Sequence, residues 1–383
     1  MQIKIENLHN TYKISYIDFD LDFQHFITVP DNKKIERSDF FRLAIFARPK
    51  NSNFYTILGT SIDERHKSDI EKNLKCEVRA YTHPSRAFKG NIEAMPSDSY
   101  LCFSGGFDSV AANYLLGESS KLISIDFSGE FSREATFFKK FNPINFKWTL
   151  RGKQPHNKII FNENLDWRFL IAPATLLQKE NPVCILTGTI LEASPFWFSG
   201  QKRADFSTYS QSTLGTGATV IGPVSSISEY GTTLIANYCL SKDELEESLT
   251  SLAAPQSFKL YRKKVLLSII NQDNLPKRPE IIKKHFFGSS FGEDIVALYV
   301  AWKIGGEWAK KNYVDNLPDG WGEIDMQYFE RINIENMKLI DCKFRDFLVG
   351  RMKDLGLSFC DNDDLNNIEK TKNFIARFHA ATP

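Results

Sequence analysis

Tyr100-Leu101-Cys102-Phe103-Ser104-Gly105-Gly106-Phe107-Asp108-Ser109 is the stretch on which the reading of the chain turns. Residues 100–103 have the length and composition of a short buried strand. A Ser/Gly turn follows, and the apolar run 110–116, closed by Gly117, reads as a helix. Two adjacent glycines let the backbone pass close to a ligand and adopt dihedrals closed to other residues. The N–H groups of such a turn, with those that open the next helix, make a concave donor set for an anion. Ser104 and Ser109 add hydroxyls. Asp108 cannot hold a phosphate itself, but it can hold Mg²⁺ against one, or cap the helix. An ordinary strand-to-helix turn has the same composition, so that plainer reading stands beside the first. No Gly-Lys-Ser/Thr follows the glycines and no G-x-G-x-x-G is present, which sets aside the Walker and dinucleotide fingerprints.

Strand and helix patterns alternate outward from this turn. Strands are expected over 122–127 and 183–187, and helices over 132–140 and 167–179. Alternation of this kind predicts a parallel sheet with helices on its faces and ligands at the carboxyl ends of its strands. Upstream, Ile17, Phe19, Leu21 and Phe23 alternate with three aspartates, the period of a half-buried strand over 16–23. That aspartate row reads as a solvated sheet face rather than a metal site. Two more strands are expected over 40–48 and 54–58, joined by a turn at 49–53, and a short helix over 68–74. From 257 onward the pattern is helical, over 258–271, 279–286, 294–311, 326–335, 343–355 and 365–381, with Gly305-Gly306 marking a break. The expected organisation is a β-rich accessory domain over 1–95, an α/β domain with a doubly wound parallel sheet over 96–256, and a helical region over 257–383.

Composition narrows the class. Hydrophobic residues make up 42% and charged residues 25%, which excludes a disordered or collagen-like chain. Lys plus Arg is 48 against 47 for Asp plus Glu, a balance that argues against a nucleic-acid coat or a polybasic membrane binder. There is no signal-peptide pattern at Met1 and no run of about 18 apolar residues, so no membrane span is expected. The six cysteines are scattered without C-x-x-C spacing, which suits reduced thiols in the cytoplasm and gives no zinc site.

The complete Ser-Gly-Gly-x-Asp-Ser match at 104–109, between strand and helix, resembles the pyrophosphate loop of the ATP-pyrophosphatase (PP-loop) superfamily. Its members include asparagine, GMP, NAD, argininosuccinate and tRNA-lysidine synthetases and 7-cyano-7-deazaguanine synthase. The resemblance covers roughly 96–271 and implies an adenine nucleotide α-hydrolase-like fold. It implies ATP held by Ser104, Gly105, Gly106, Phe107, Asp108 and Ser109, with Mg²⁺ at Asp108. Asp126 and Phe127, with Arg133-Glu134 after them, and Gly188-Thr189, at the ends of two later strands, would then flank adenine. Segment 221–229 is similar to the proline-led approach to a late helix in the family, with Ser228 where the family has a lysine. Segment 258–264 is similar to the surroundings of the deazaguanine-synthase zinc knuckle but lacks its cysteines, so no zinc is implied. With no Cys after Met1, an N-terminal amidotransferase domain of the asparagine-synthetase type is not expected either.

The implied activity is adenylation of a carboxylate or amide oxygen with release of pyrophosphate, then transfer to a nitrogen or sulfur nucleophile. A deazapurine acid is the favoured substrate; another small metabolite or a protein terminus stays open, as do a homo-oligomer and a partner protein from the same gene cluster. The other class is a nucleotide-binding sensor that keeps the fold without turnover. Adenylation needs cations for the triphosphate. Lys202 and Arg203 are the leading catalytic candidates alongside Asp108, with Arg151, Lys153, Arg262, Lys263 and Lys264 behind them. Glu192 reads either as an acid that binds Mg²⁺ or substrate, or as a carboxylate placed at a helix start by the dipole. The Gly-rich run 213–219 and the aromatic Trp197 read more simply as a loop and as core packing.

Overall fold

This computed structural model describes residues 1–18, 21–30, 35, 39–48, 52–84, 99–127, 132–152, 170–177, 183–193, 219–338, 340 and 342–379. The chain opens with β1 (Gln2–Leu8), β2 (Thr11–Asp18) and β3 (Leu21–Thr28), then α1 (Phe40–Phe46), β4 (Phe54–Asp63), α2 (Glu64–Leu74) and β5 (Glu77–His83). The alternating part follows: β6 (Ser99–Cys102), α3 (Phe107–Leu116), β7 (Lys121–Asp126), α4 (Ser132–Phe138), β8 (Ile144–Gly152), α5 (Ala172–Leu176), β9 (Cys184–Leu186) and β10 (Thr219–Ile221). The rest is mainly helical: α6 (Glu229–Cys239), α7 (Lys242–Leu252), α8 (Phe258–Asn271), the short β11 (His285–Phe286), α9 (Phe291–Ile304), α10 (Gly306–Asn312), β12 (Val314–Asp315), α11 (Ile334–Lys338), α12 (Cys342–Asp354) and α13 (Asn362–His379).

Contacts divide the chain into two units. The first holds the described residues of Met1–Ser104, Glu118–Thr187 and Thr208–Ile221; the second holds those of Gly105–Gly117, Gly188–Ser207 and Gly222–Pro383.

Among the described residues of the first unit, ten strands form one sheet in the order β10-β9-β6-β7-β8-β3-β2-β1-β4-β5. The fold class is therefore α/β with a large, mostly parallel sheet. Strands β6 to β10 are parallel throughout, and the order reverses at β6, whose neighbours are β7 on one side and β9 on the other. An order that reverses in this way leaves a crevice at the carboxyl ends of the strands, where open α/β sheets take their ligands. The loop 104–109 leaves β6 at that end. Antiparallel pairing of β3 with β8 continues the sheet into the N-terminal strands.

Three expectations for the N-terminal part change. The alternation at 16–23 is not one strand, because Asp18 pairs with Leu21 across a hairpin, so its two halves belong to β2 and β3. Segment 40–48 is largely a helix rather than a strand: all seven residues of α1 are buried, Arg42 among them, and a short run buried on every side has no period to separate the two. The 68–74 helix begins earlier, at Glu64, because the Asp63 side chain accepts from the N–H groups of Arg65 and His66. Further along, 279–286 is a turn closed by Ile282 N–H to Pro279 O, and it ends in β11, which pairs with β12. Segment 326–335 holds a 3₁₀ turn, Gln327–Glu330, before α11 begins. In both cases tertiary pairing overrides helix propensity.

A buried polar relay joins β8, β3 and the end of α1 in the first unit's core. Trp148 Nε1–H donates to His25 Nδ1 at 2.8 Å, and indole can only donate. His25 therefore carries its proton on Nε2 and donates to Ala47 O at 2.9 Å, just past the end of α1. Burial, opposed by that backbone bond, lowers the ring's pKa from 6.5 to about 4. Folding favours the neutral ring, so this stabilisation is complete above pH 6.5 and is lost as the pH falls through about 4. The stability advantage of the wild type over His25→Gln is expected to shrink by roughly 3 kcal/mol between neutral pH and the folded pKa, measured by urea unfolding. His25 ring signals that titrate near the ordinary histidine value would contradict it.

Candidate functional site

The loop that follows β6 opens a helix with an unusual cap. Phe103 N–H is fixed to Ile123 O at 2.7 Å, which holds the end of β6 on β7. Gly105 then takes φ +79°, a conformation that an L side chain resists. Gly106 is the N-cap of α3 with extended backbone and no capping side chain. Helices α6, α7 and α8 are by contrast each capped by a serine, Ser228, Ser241 and Ser257. The first N–H groups of any helix have no partner inside it, and in α3 those of Phe107 and Asp108 open the first turn. Ser109 Oγ donates to Gly106 O at 2.9 Å, and buried Ser248 donates to Gly105 O at 2.7 Å, which pins the loop from within the second unit. Ser104 is exposed and Asp108, Gly188 and Thr189 are half-exposed, whereas 105–107 and Ser109 are buried.

Charged side chains gather at the first turn of α3. Asp108 Oδ1 accepts from Thr232 Oγ1 at 2.6 Å and from Lys263 Nζ at 3.3 Å. The same ammonium lies 3.0 Å from Glu229 Oε1 and 5.3 Å from the centre of the Phe107 ring. Arg262 bridges Glu229 at 3.1 Å and Glu293 at 2.7 Å. The spacing explains how α8 supplies both cations, since Lys259, Arg262 and Lys263 stand at i, i+3 and i+4 on one helix face. On the facing helix α6, Glu229 and Thr232 are three residues apart.

Burial raises the cost of every charge here, and pairing decides the outcome. For Glu229, burial pushes the carboxyl up, but Arg262 and Lys263 outweigh it and hold the pKa at about 2. For Lys263, burial pulls down, while Asp108 and Glu229 win and raise it. Lys259 has an exposed surface, yet crowding by protein lowers its ammonium's pKa against the pull of Asp108, with Lys263 and Arg262 adding to the fall. Glu192 behaves in the opposite way to Glu229. Its Oε1 accepts from Glu229 N–H at 2.9 Å, but Oε2 is buried without a partner. Burial, with Glu229 and Asp108 adding negative charge, pushes it to about 8.

Within the second unit, Gly188 stands against the loop. A Cβ there would stand 3.0 Å from the backbone of Asp108 and Ser109, so only glycine fits without a shift. Thr189 lies beside Gly222, whose added Cβ would meet the Thr189 side chain at 3.4 Å. The second unit therefore brings together 105–109, Gly188 and Thr189. Asp126 and Phe127 belong to the first unit, where Asp126 pairs with Lys139 at 3.6 Å and Phe127 packs on Trp148. Lys202, Arg203, Lys153 and Trp197 lie outside the described residues, as does 213–218 of the Gly-rich run. Ser228 caps α6 and also donates to Phe329 O. The cations that stand beside Glu229 at the start of α6 come from α8. Thr232, Ser248 and Glu293 were not legible from spacing, because each meets its partner across helices far apart in sequence.

Among the described residues no three His, Cys, Asp or Glu side chains are grouped to hold a metal ion. A divalent cation at Asp108 would thus need oxygens from its ligand, which suits a metal that arrives on a polyphosphate. No described helix is long and apolar enough to cross a membrane.

Two substitutions test this packing. Gly188→Ala is expected to destabilise by about 1–3 kcal/mol in thermal melts through overpacking on the loop. Gly350→Ala in α12, where nothing lies within 4 Å of the new Cβ, should stabilise by about 0.5–1 kcal/mol. Equal effects at the two sites would contradict the close approach. For Glu192, folding favours the protonated acid, so its contribution is complete below the unfolded value of 4.5 and is lost as pH rises through about 8. Glu192→Gln should therefore gain stability relative to wild type as pH rises across that window; a constant difference would show an ionised carboxylate. Compared with family profiles of known proteins, with curated proteins and with solved structures, the chain finds no match.

Proposed function

We propose that the chain is an ATP-dependent synthetase of the ATP-pyrophosphatase type, built on a doubly wound sheet. The observation that carries this reading is the loop 104–109, which follows the strand where the sheet order reverses and opens a helix with no capping side chain. Fixed backbone donors there suit the departing pyrophosphate, and they need no reorganisation as negative charge develops on it. In the first step a substrate carboxylate or amide oxygen attacks the α-phosphorus of ATP. The bond to the β-phosphate oxygen breaks, and its electron pair leaves with pyrophosphate. In the second, a nitrogen or sulfur nucleophile attacks the activated carbon and AMP departs with the oxygen. Mg²⁺ at Asp108 would neutralise phosphate charge. Within this reading Lys263, 3.3 Å from Asp108, and Lys259, which feels its charge, are the cations beside Asp108 among the described residues, with Lys202 and Arg203 as further candidates, and a deazapurine acid is the favoured acceptor.

A second reading has one observation in its favour. The Asp108–Lys263 ion pair at 3.3 Å neutralises the proposed metal ligand, as a sensor that binds nucleotide without turnover would tolerate.

Calorimetry with ATP·Mg²⁺ is expected to show binding to the wild type, and Asp108→Ala should weaken it at least about tenfold, roughly 1.4 kcal/mol, measured below the lowered melting temperature of the variant. Absence of binding to a folded wild type over a broad ATP range would overturn the nucleotide reading. AMP and pyrophosphate in equal amounts support the synthetase; binding without either product supports the sensor.

A further inference from the structure

Lys263 presents a problem of charge placement that its neighbours only partly solve. It is 2% exposed, and it stands by the first turn of α3, the positive end of a helix dipole, beside Arg262 and Lys259. Each of these features disfavours an ammonium there. Asp108 and Glu229 are what hold it. An ammonium has three N–H donors. Two are answered by these carboxylates, and the third contact among the described residues is the face of the Phe107 ring at 5.3 Å, which is no hydrogen-bond acceptor of carboxylate strength. The ammonium is buried beside the first turn of α3, while Asp108 is half-exposed and already accepts from Thr232.

We propose that Lys263 is a resident counter-ion that is handed from Asp108 to a phosphate oxygen of an incoming polyphosphate, so that divalent cation and polyphosphate bind only together. This rests on the nucleotide reading above and goes further, because it assigns a role to a residue of α8 and a coupling between two ligands. The charge ledger gives the reason. Without ligand, Asp108 and Glu229 face Lys263, Arg262 and the more exposed Lys259, and Arg262 is shared with Glu293. A divalent cation placed on Asp108 alone would add two positive charges next to a buried ammonium. A polyphosphate placed at the loop alone would face Asp108 and Glu229. When both arrive, the ammonium turns its spare donor to phosphate, and Asp108 is released to the metal. Linkage then requires that each ligand tighten the other by the same factor.

The probes are Mn²⁺, followed by its effect on water proton relaxation, and inorganic pyrophosphate, followed by calorimetry, both on the full chain. Wild type is expected to bind Mn²⁺ weakly alone and at least tenfold more tightly with saturating pyrophosphate, after correction for the complex they form in solution. Lys263→Met should bind Mn²⁺ alone more tightly than wild type does and lose most of the coupling. Lys263→Arg should keep it. Should Lys263→Met fail to fold, the double variant Lys263→Met with Glu229→Gln removes both buried charges and carries the same expectation. Undiminished coupling in these variants, with ATP·Mg²⁺ still bound by wild type, would overturn the role of Lys263 and leave the nucleotide reading intact. A wild type that binds neither pyrophosphate nor ATP would overturn both.

Discussion

A buried positive charge that must be answered organises the second unit. Lys263 is answered by Asp108 from the first turn of α3 and by Glu229 from the first turn of α6, so one side chain from α8 fixes where two helices begin. Removing one partner of such a buried pair costs about 3–5 kcal/mol, because the other is left uncompensated. Arg262 extends the pairing through Glu293 to His285, which lies 3.3 Å from it. His285 and His379 both bond to Asp294, a carboxylate with no exposed surface on the central helix α9. Ion pairs and hydrogen bonds thus run without interruption from the loop aspartate to the last turn of α13. A network of this kind is a poor source of net stability compared with apolar packing. What it does supply is a fixed position for the start of α3 relative to α6 and α8.

The same arrangement bears on reactivity. Glu192 and Glu229 are joined by one hydrogen bond, yet their acidities move in opposite directions. The difference comes from cations: Glu229 has two within salt-bridge distance, whereas Glu192 has backbone donors alone and an unanswered oxygen. Two carboxyl groups whose environments push them apart can serve different protonation roles in one site.

Much of the fold was legible where residue chemistry is local. The strand–glycine–helix turn at 104–109, the end of α3 at Gly117 and the break at Gly305 all follow from backbone preferences of the residues in place. The parallel alternation after residue 96 predicted the sheet type, and strand order 3-2-1-4-5 over β6 to β10 realises it. What was not legible depends on partners far along the chain. Nothing in Phe40-Phe41-Arg42-Leu43 distinguishes a buried helix from a buried strand, and the hairpin between β2 and β3 hides inside a regular alternation. In the site, Asp108 and Gly188 could be singled out from their strand-end positions. Lys263 ranked among several cations, since only the meeting of α3, α6 and α8 reveals which lysine is buried on two carboxylates.

The central claim is that the backbone of 105–109 is built to receive a polyphosphate. Amide chemical shifts of Gly105, Gly106, Phe107 and Asp108 followed by NMR during titration with pyrophosphate and Mg²⁺ test it directly. The account predicts large, saturable shifts at these amides and smaller ones elsewhere in α3. Amides that stay fixed to millimolar pyrophosphate, while the protein remains folded, would contradict it.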